Sequence, residues 1–433
     1  MNHLQLFLPC AAGVEDLLLA EVARTTQRPA QQIDKRRGGV LLEGAWRDAQ
    51  LLNLHSRLAQ RVLVQLFHGM YRNEQDLYRA ASEVAWEIWF TPRQSIKVEV
   101  TAQHSPLTSL NFAALKVKDA VCDRFRAKAG GVRPDVNTQW PDIRIYAHLG
   151  TDTVSLYIDT SGEALFKRGW REDKGEAPLK ETLAAALIAA SGWPDDPHLP
   201  LYDPCCGSGT IAIEAAQIAC QIAPGMLRHF AFEKMLPFQP HVWEGVRAEA
   251  QRAQRLPVAG ATPRIFGSDV AHRMVDFAQR NAQRAGVADA IAFRGGDALQ
   301  RMPPSPTPGL MLVNPPYGER IDAAGIAGAA QVRRGVGAPR MAGETEPAVG
   351  REVAQFDGGA DFFVQLAAHW KKNYAGWTAW VLTPDLKLPG KMRLKESRRV
   401  PLWNGPIECR LFRFDMVRGS ARRAPPSAPS PDY

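Results

Sequence analysis

The chain of 433 residues exceeds one typical domain, so two or three are expected. Apolar residues make up 45% and charged residues 23%, the balance of a soluble globular protein, and no apolar run approaches the ~20 residues of a membrane span. A net charge of +8 with a pI near 9.2 mildly favours a polyanionic partner.

The opening "MNHLQLFLPCAAGVEDLLLAEV" has no basic segment ahead of its apolar part, and Glu15, Asp16 and Glu21 interrupt it at helical spacing. It reads as an amphipathic segment and not a secretory signal. "GGVLLEG" and "RQSIKVEVTA" read as strands. "WRDAQLLNLHSRLAQRVLVQL" and "NFAALKVKDAVCDRFRAKAG" carry apolar residues at three-to-four spacing and read as helices, the second stopping at Gly130–Gly131. "DIRIYAHLGTDTVSLYIDTSG" reads as a hairpin turning near Gly150–Asp152. Residues 1–160 thus form an α+β region with no sign of catalysis.

From about residue 178 the rhythm changes. "APLKETLAAALIAASG" reads as a helix with Pro178 at its start. Short apolar strands follow, each ending on a polar residue: "LPLYD" at Asp203, "RIFGSD" at Asp269, "IAFRGGD" at Asp297 and "GLMLVN" at Asn314. "TIAIEAAQIAC" and "AHRMVDFAQRNAQRAG" are the helices between them. Such alternation predicts an α/β class, a doubly wound, mostly parallel sheet. "WTAWVLTPD" adds a fifth strand and "IECRLFRFDMV" a closing hairpin. Residues 323–360, rich in Gly, Ala, Arg and Pro, read as a flexible insertion, and 419–433 as a disordered tail. Residues 391–433 hold ten Lys and Arg against four Asp and Glu, so much of the positive excess lies there.

Six cysteines stand at 10, 122, 205, 206, 220 and 409, with no CxxC pair. They read as buried free thiols in a reducing cytosol, and no metal site is expected.

Ligands of open α/β sheets bind at the carboxyl edge, where all four polar strand ends lie. In "DPCCGSGT", Gly207 and Gly209 make a tight turn that a ligand can approach, and Thr210 opens a helix. The third position of a GxGxxG pattern is Ala212. Asp203, four residues before Gly207, suits an amine better than a pyrophosphate. S-adenosylmethionine has a cationic α-amino group and no phosphate. A purely structural strand-to-helix turn would look the same. Asp269 suits the ribose hydroxyls of a nucleoside or the capping of the following helix. Asp297 suits an adenine exocyclic amine or, again, a helix cap. In "NPPY", the Asn314 side-chain oxygen and the Pro315 carbonyl, stiffened by Pro316, are acceptors able to make a delocalised base amine pyramidal and reactive. Tyr317 can stack on an extruded base. A rigid loop with a surface tyrosine is the alternative.

Together these stretches resemble the THUMP-domain-bearing class I RNA methyltransferases that make N2-methylguanosine, in particular the bacterial 23S ribosomal RNA enzymes. The resemblance rests on "LPCAAGVEDLLLAEV", "NFAALKVKDAVCDRF", "LFKRGWR", "APLKETLAAALI", "DPCCGSGTIAIEAA", "IAPGMLRHFAFEK", "NPPYGER" and "PLWNGPIECRLFRF". It implies a Rossmann-like methyltransferase domain over 161–418, preceded by an RNA-binding region whose THUMP domain covers about 45–158. It implies S-adenosylmethionine as cofactor, with Asp203, Gly207 and Gly209 at its methionine part, Asp269 at the ribose and Asp297 at the adenine. Asn314, Pro315, Pro316 and Tyr317 would hold the target guanine. Some members are fused to a second domain that makes 7-methylguanosine; the sequence ends before such a domain, so a single activity is expected.

The expected function is methyl transfer to the N2 amine of a guanosine in 23S rRNA or its precursor particle, in the cytoplasm, with no membrane partner; a monomer is compatible with the sequence. Its rivals are a tRNA guanine-N2 enzyme, a DNA adenine-N6 enzyme with a similar "NPPY" turn, and a non-catalytic RNA-binding assembly factor. A nicotinamide dehydrogenase would lack a persuasive catalytic His or Lys.

Overall fold

Two seven-stranded sheets organise the computed structural model, which describes residues 3–175, 178–257, 260, 262–315 and 359–417. The first sheet belongs to β1 (Leu4–Pro9), α1 (Glu15–Thr26), β2 (Ile33–Arg36), β3 (Gly39–Gly44), α2 (Trp46–His55), β4 (Leu63–Met70), α3 (Glu74–Glu83), β5 (Ile96–Ala102), α4 (Leu110–Lys128), β6 (Ile143–Leu149) and β7 (Thr153–Asp159). Its strand order is β2-β3-β1-β4-β7-β6-β5. Only β5 and β6 run parallel; all other neighbours are antiparallel.

One expectation fails here. The segment 46–66 is not a single helix: α2 ends at His55, and β4 begins at Leu63. Glu21, buried on α1, accounts for the break. Its carboxylate accepts from the Ser56 hydroxyl (2.5 Å) and from the backbone N–H groups of Arg57 (3.0 Å) and Leu58 (3.3 Å), which a continuing helix would need. The remaining apolar residues then alternate as a strand.

The second sheet belongs to α5 (Glu181–Ser191), β8 (Leu201–Asp203), α6 (Thr210–Ala219), α7 (Pro240–Arg252), β9 (Ile265–Asp269), α8 (His272–Arg284), β10 (Ile291–Gly295), β11 (Leu310–Val313), α9 (Gly359–Asn373), β12 (Thr378–Thr383), α10 (Leu388–Met392), β13 (Arg398–Asn404) and β14 (Ile407–Asp415). Strand order is β10-β9-β8-β11-β12-β14-β13. The first five strands in that order run parallel, and β14 and β13 close the sheet antiparallel. Every residue of β8 and β11 is buried, as expected of strands covered on both faces. α5 starts at Glu181, three residues after Pro178. The segment expected to be a flexible insertion lies outside the described residues as far as 358, as does the tail 419–433.

Alternation divides the second sheet's core. Leu201, Leu310, Leu312, Trp380 and Leu411 face one way and join a cluster that runs through α5 and α6 into the first sheet, as far as Leu6 and Val64. Tyr202, Met311, Val313, Val381 and Phe412 face the other way, against Leu366 and Trp370 of α9 and Leu388 of α10. The N-terminal region is therefore continuous with one face of the second sheet. Arg228 ties the two further. Its guanidinium donates to the carbonyls of Ala164 (2.9 Å), Lys167 (3.1 Å), Ser161 (3.2 Å) and Glu163 (2.6 Å), and burial brings its pKa down to about 10. The block "IAPGMLRHFAFEK" thus has structural work to do at the link between the two sheets.

Candidate active site

Because β9 lies between β8 and β10, and β11 flanks β8, the four polar strand ends meet at one edge. Asp203 is the last residue of β8 and almost wholly buried. Its Oδ1 accepts from the Cys205 backbone N–H (3.1 Å), and no described cation pairs with it. Burial, and then the neighbouring Asp269, push its pKa to about 8.

Asp269 ends β9 and uses both oxygens. Oδ1 accepts from the Ala271 N–H (3.0 Å), which begins α8, and Oδ2 from the Gly207 N–H (2.9 Å). It therefore braces the glycine turn and closes a local turn just ahead of α8. Burial raises its pKa even against these two bonds. Asp297 stands two residues beyond β10, past Gly296, whose N–H donates to the Asp269 carbonyl (3.0 Å). Its own Oδ1 accepts from the Leu299 N–H (2.9 Å), a local turn bond that leaves Oδ2 to other partners.

The two glycines of the turn differ. Gly209 has φ +87°, and a Cβ there would lie 2.9 Å from the Ala278 Cβ and 3.1 Å from the Phe293 ring. It is needed for close packing of α6 on α8 and β10. Gly207 has φ +51°, yet a Cβ there would meet nothing nearer than Met274 Cε at 3.9 Å. That side of the turn is open to a ligand. The adjacent Cys205 and Cys206 thiols are driven well above their ordinary pKa by burial and the nearby carboxyl groups, so they stay protonated.

Asn314 follows β11 directly, and Pro315 is buried beside it. The Asn314 Oδ1 atom is enclosed and has no hydrogen-bond partner among the described residues. A buried acceptor left so costs about 1–3 kcal/mol, which a donor from a ligand would offset. Pro316 and Tyr317 lie outside the described residues. A cavity of about 430 Å³ opens at the opposite edge of the sheet, between Pro308, Trp377, Asp415 and Val417, and adjoins none of these groups. Among the described residues no cluster of three metal-ligating side chains is found, and no helix is long and apolar enough to cross a membrane.

Arg171 escaped the sequence reading. It bonds the hydroxyls of Ser208 (2.8 Å) and Thr210 (2.7 Å), across 37 and 39 residues. Its stretch "LFKRGWR" carries part of the resemblance, but nothing in it assigned Arg171 a role.

Comparison with known proteins supplies independent support for the fold. Residues 5–63 match an RlmL ferredoxin-like domain, 71–159 a THUMP domain, and 168–329 an RMKL-like methyltransferase domain. The Ribosomal RNA large subunit methyltransferase K/L of Psychromonas ingrahamii is 35% identical over 95% of this chain and 50% of its own length. The chain spans about half the length of the curated relatives it matches. Among solved structures, SMU.472 complexed with SAH has 26% identity and a TM-score of 0.78, over 97% of this chain and 100% of that one. A Listeria monocytogenes protein named a "predicted N6-adenine-specific DNA methylase" has 28% identity and a TM-score of 0.76, over 95% and 96%. β4, which lies between the two N-terminal matches, pairs with β1 of the first and β7 of the second and joins them into one layer, and the glycine turn and its carboxylates lie inside the third match. The chain is accordingly a THUMP domain followed by a class I methyltransferase fold.

Proposed function

We propose that this chain transfers a methyl group from S-adenosylmethionine to the N2 amine of a guanosine in 23S rRNA, in the cytoplasm. The observation that carries the reading is the buried Asn314 Oδ1 at the end of β11, which has no hydrogen-bond partner among the described residues. It is a hydrogen-bond acceptor waiting for an N–H donor, on the edge where the other three strand ends gather.

The residues present fit the cofactor. Asp203, buried, and Asp269, half-buried, are carboxyl groups pushed up in pKa with no described cation beside them, the environment that a cationic α-amino group relieves. Gly207 leaves the turn open on one side. SMU.472, which shares this fold, was solved with SAH. S-adenosylmethionine supplies an electrophilic methyl on a sulfonium. Asp203 would take the amine, Gly207 and Gly209 the close backbone approach, Asp269 the ribose and Asp297 the adenine edge.

At the target, Asn314 Oδ1 and the Pro315 carbonyl would accept from the two N–H bonds of the amine and turn its lone pair toward the methyl. Pro316 would stiffen the turn and Tyr317 would hold the base by stacking. Proximity and orientation then provide much of the rate, and no strong base is needed. Residues 1–160, with the THUMP domain, would grip the RNA. The rRNA assignment draws on the name of the relatives and the guanine on the quoted sequence resemblance; the Listeria neighbour's name makes a DNA adenine the reading to exclude.

The test is incubation of the purified chain with S-adenosylmethionine and 23S rRNA, tRNA or duplex DNA, followed by nucleoside mass spectrometry. N2-methylguanosine in 23S rRNA is expected. Product confined to tRNA, or methylated adenine in DNA, would overturn the substrate assignment.

A further inference from the structure

The link between the two sheets runs through residues 168–175, and its side chains hold the glycine turn. Arg171 is the centre of this strap. Its guanidinium is only 12% exposed and spends every nitrogen on a defined partner. Nη1 donates to Ser208 Oγ (2.8 Å), Nη2 to Thr210 Oγ1 (2.7 Å) and the Leu179 carbonyl (3.3 Å), and Nε to Glu181 Oε1 (2.6 Å). The same guanidinium lies over the fully buried Trp170 ring, 5.0 Å from its centroid.

Two residues on, the strap grips the turn again through α8. Asp173 pairs with Arg280 (2.8 Å) and Arg284 (2.6 Å), and its backbone carbonyl accepts from Asn281 Nδ2 (2.8 Å). That same Asn281 nitrogen donates to the Ser208 carbonyl (3.1 Å). Ser208, the residue between the two glycines, is thus held by its hydroxyl from Arg171 and by its carbonyl from Asn281. At the strap's other end Arg168 pairs with Glu214 of α6 (3.0 Å), which also takes Arg57 of the N-terminal region (3.2 Å).

We infer that Arg171 is a positioning residue for the cofactor: it fixes the Gly207–Ser208–Gly209 turn in its binding shape through Ser208 and Thr210. The inference rests on the proposed use of this turn for S-adenosylmethionine. A glycine turn with positive φ at both glycines has many alternative conformations, and the planar, five-donor fork of arginine can hold two hydroxyls and two oxygens of α5's entry in one geometry. Among the described residues none of the hydrogen bonds of Arg171 reaches Asn314, so its effect falls on cofactor affinity and not on the chemical step.

The experiment is calorimetric titration of the full chain with S-adenosylmethionine, alongside steady-state kinetics and thermal unfolding. Arg171→Ala is expected to weaken binding roughly tenfold to a hundredfold and to raise the cofactor KM in step, with kcat at saturation within about threefold of wild type. Arg171→Lys, which keeps one donor, should recover part of the loss. Ser208→Ala with Thr210→Val removes the acceptors while leaving the Arg171–Glu181 pair. It should reproduce the weakening, and the triple variant should add little to it. If Arg171→Ala does not fold, the Ser208→Ala/Thr210→Val double variant decides alone. Wild-type affinity in either set, or losses that add independently, would overturn the inference while leaving the proposed function standing. A wild-type chain that binds no S-adenosylmethionine would instead overturn the functional reading itself.

Discussion

Asp203 and Asp269, at the ends of adjacent strands, each raise the cost of ionising the site, and Asp203 is held near pKa 8 by burial and by the second carboxyl. The pair stores a demand for positive charge at the spot where the glycine turn opens.

Cofactor binding should therefore release a proton. At pH 7 Asp203 is mostly protonated; meeting the α-ammonium group of S-adenosylmethionine would lower its pKa and free roughly one proton per site. Calorimetry at pH 7 in buffers of different ionisation enthalpy measures this directly. Asp203→Asn should remove the release and weaken binding by at least about tenfold.

Stability without ligand should fall as pH rises between about 4 and 8. Asp203, Asp269 and Glu21 all have folded-state pKa values above their ordinary ones, with burial as the first cause. At these three groups the native state binds more protons than the unfolded chain in that window, so they give the unfolding free energy a negative slope with pH, opposed below about pH 6.5 by His55 and His148, whose pKa values burial lowers. Asp203→Asn should flatten the slope and raise the melting temperature at pH 8 by a few degrees, or about 1–2 kcal/mol, a gain in stability at the expense of binding. A pH slope of the melting temperature between pH 5 and pH 8 that is the same in the wild type and in Asp203→Asn would contradict this assignment.

Asn314→Ala should leave S-adenosylmethionine affinity within about threefold while lowering kcat by roughly 10²–10³, the usual consequence of deleting one preorganised electrostatic contact. Equal losses in cofactor affinity and turnover would place the side chain elsewhere in the mechanism.

The two glycines should separate by readout. Gly209→Ala forces a Cβ against Ala278 and Phe293 in a left-handed backbone, so it should destabilise the fold by about 2–4 kcal/mol. Gly207→Ala has room and carries only the backbone penalty of about 1–2 kcal/mol, but its methyl occupies the open face. Denaturant unfolding should rank Gly209→Ala as the less stable, and titration with S-adenosylmethionine should find Gly207→Ala impaired even where it is fully folded.

Legibility followed the range of the interactions involved. The strands ending at Asp203, Asp269 and Asn314 could be read because a strand buried on both faces is an unbroken apolar run bounded by turn residues. Helix α8 could be read because Val275, Ala278 and Ala282 recur at helical spacing in "AHRMVDFAQRNAQRAG", with Asn281 the polar exception on that face. The end of α2 could not, since Glu21, which captures the next two N–H groups, is over thirty residues away. Arg171 and Arg228 were hidden for the same reason: each acts on groups 37 to 67 residues distant, and an arginine's partner leaves no local trace. The lone Asn314 oxygen is a property of three-dimensional packing, although the residue itself was singled out.

The Arg228 anchor has a bearing on how this protein could be recombined. Four carbonyls from 161 to 167 close around a guanidinium donated by the methyltransferase-like half, so the boundary between the halves is interlocked and not a free joint. A chimaera that exchanged residues 1–160 alone would keep the lock and change the key. Swaps that also exchange residues 161–167 should succeed only when the 222–234 block travels with them.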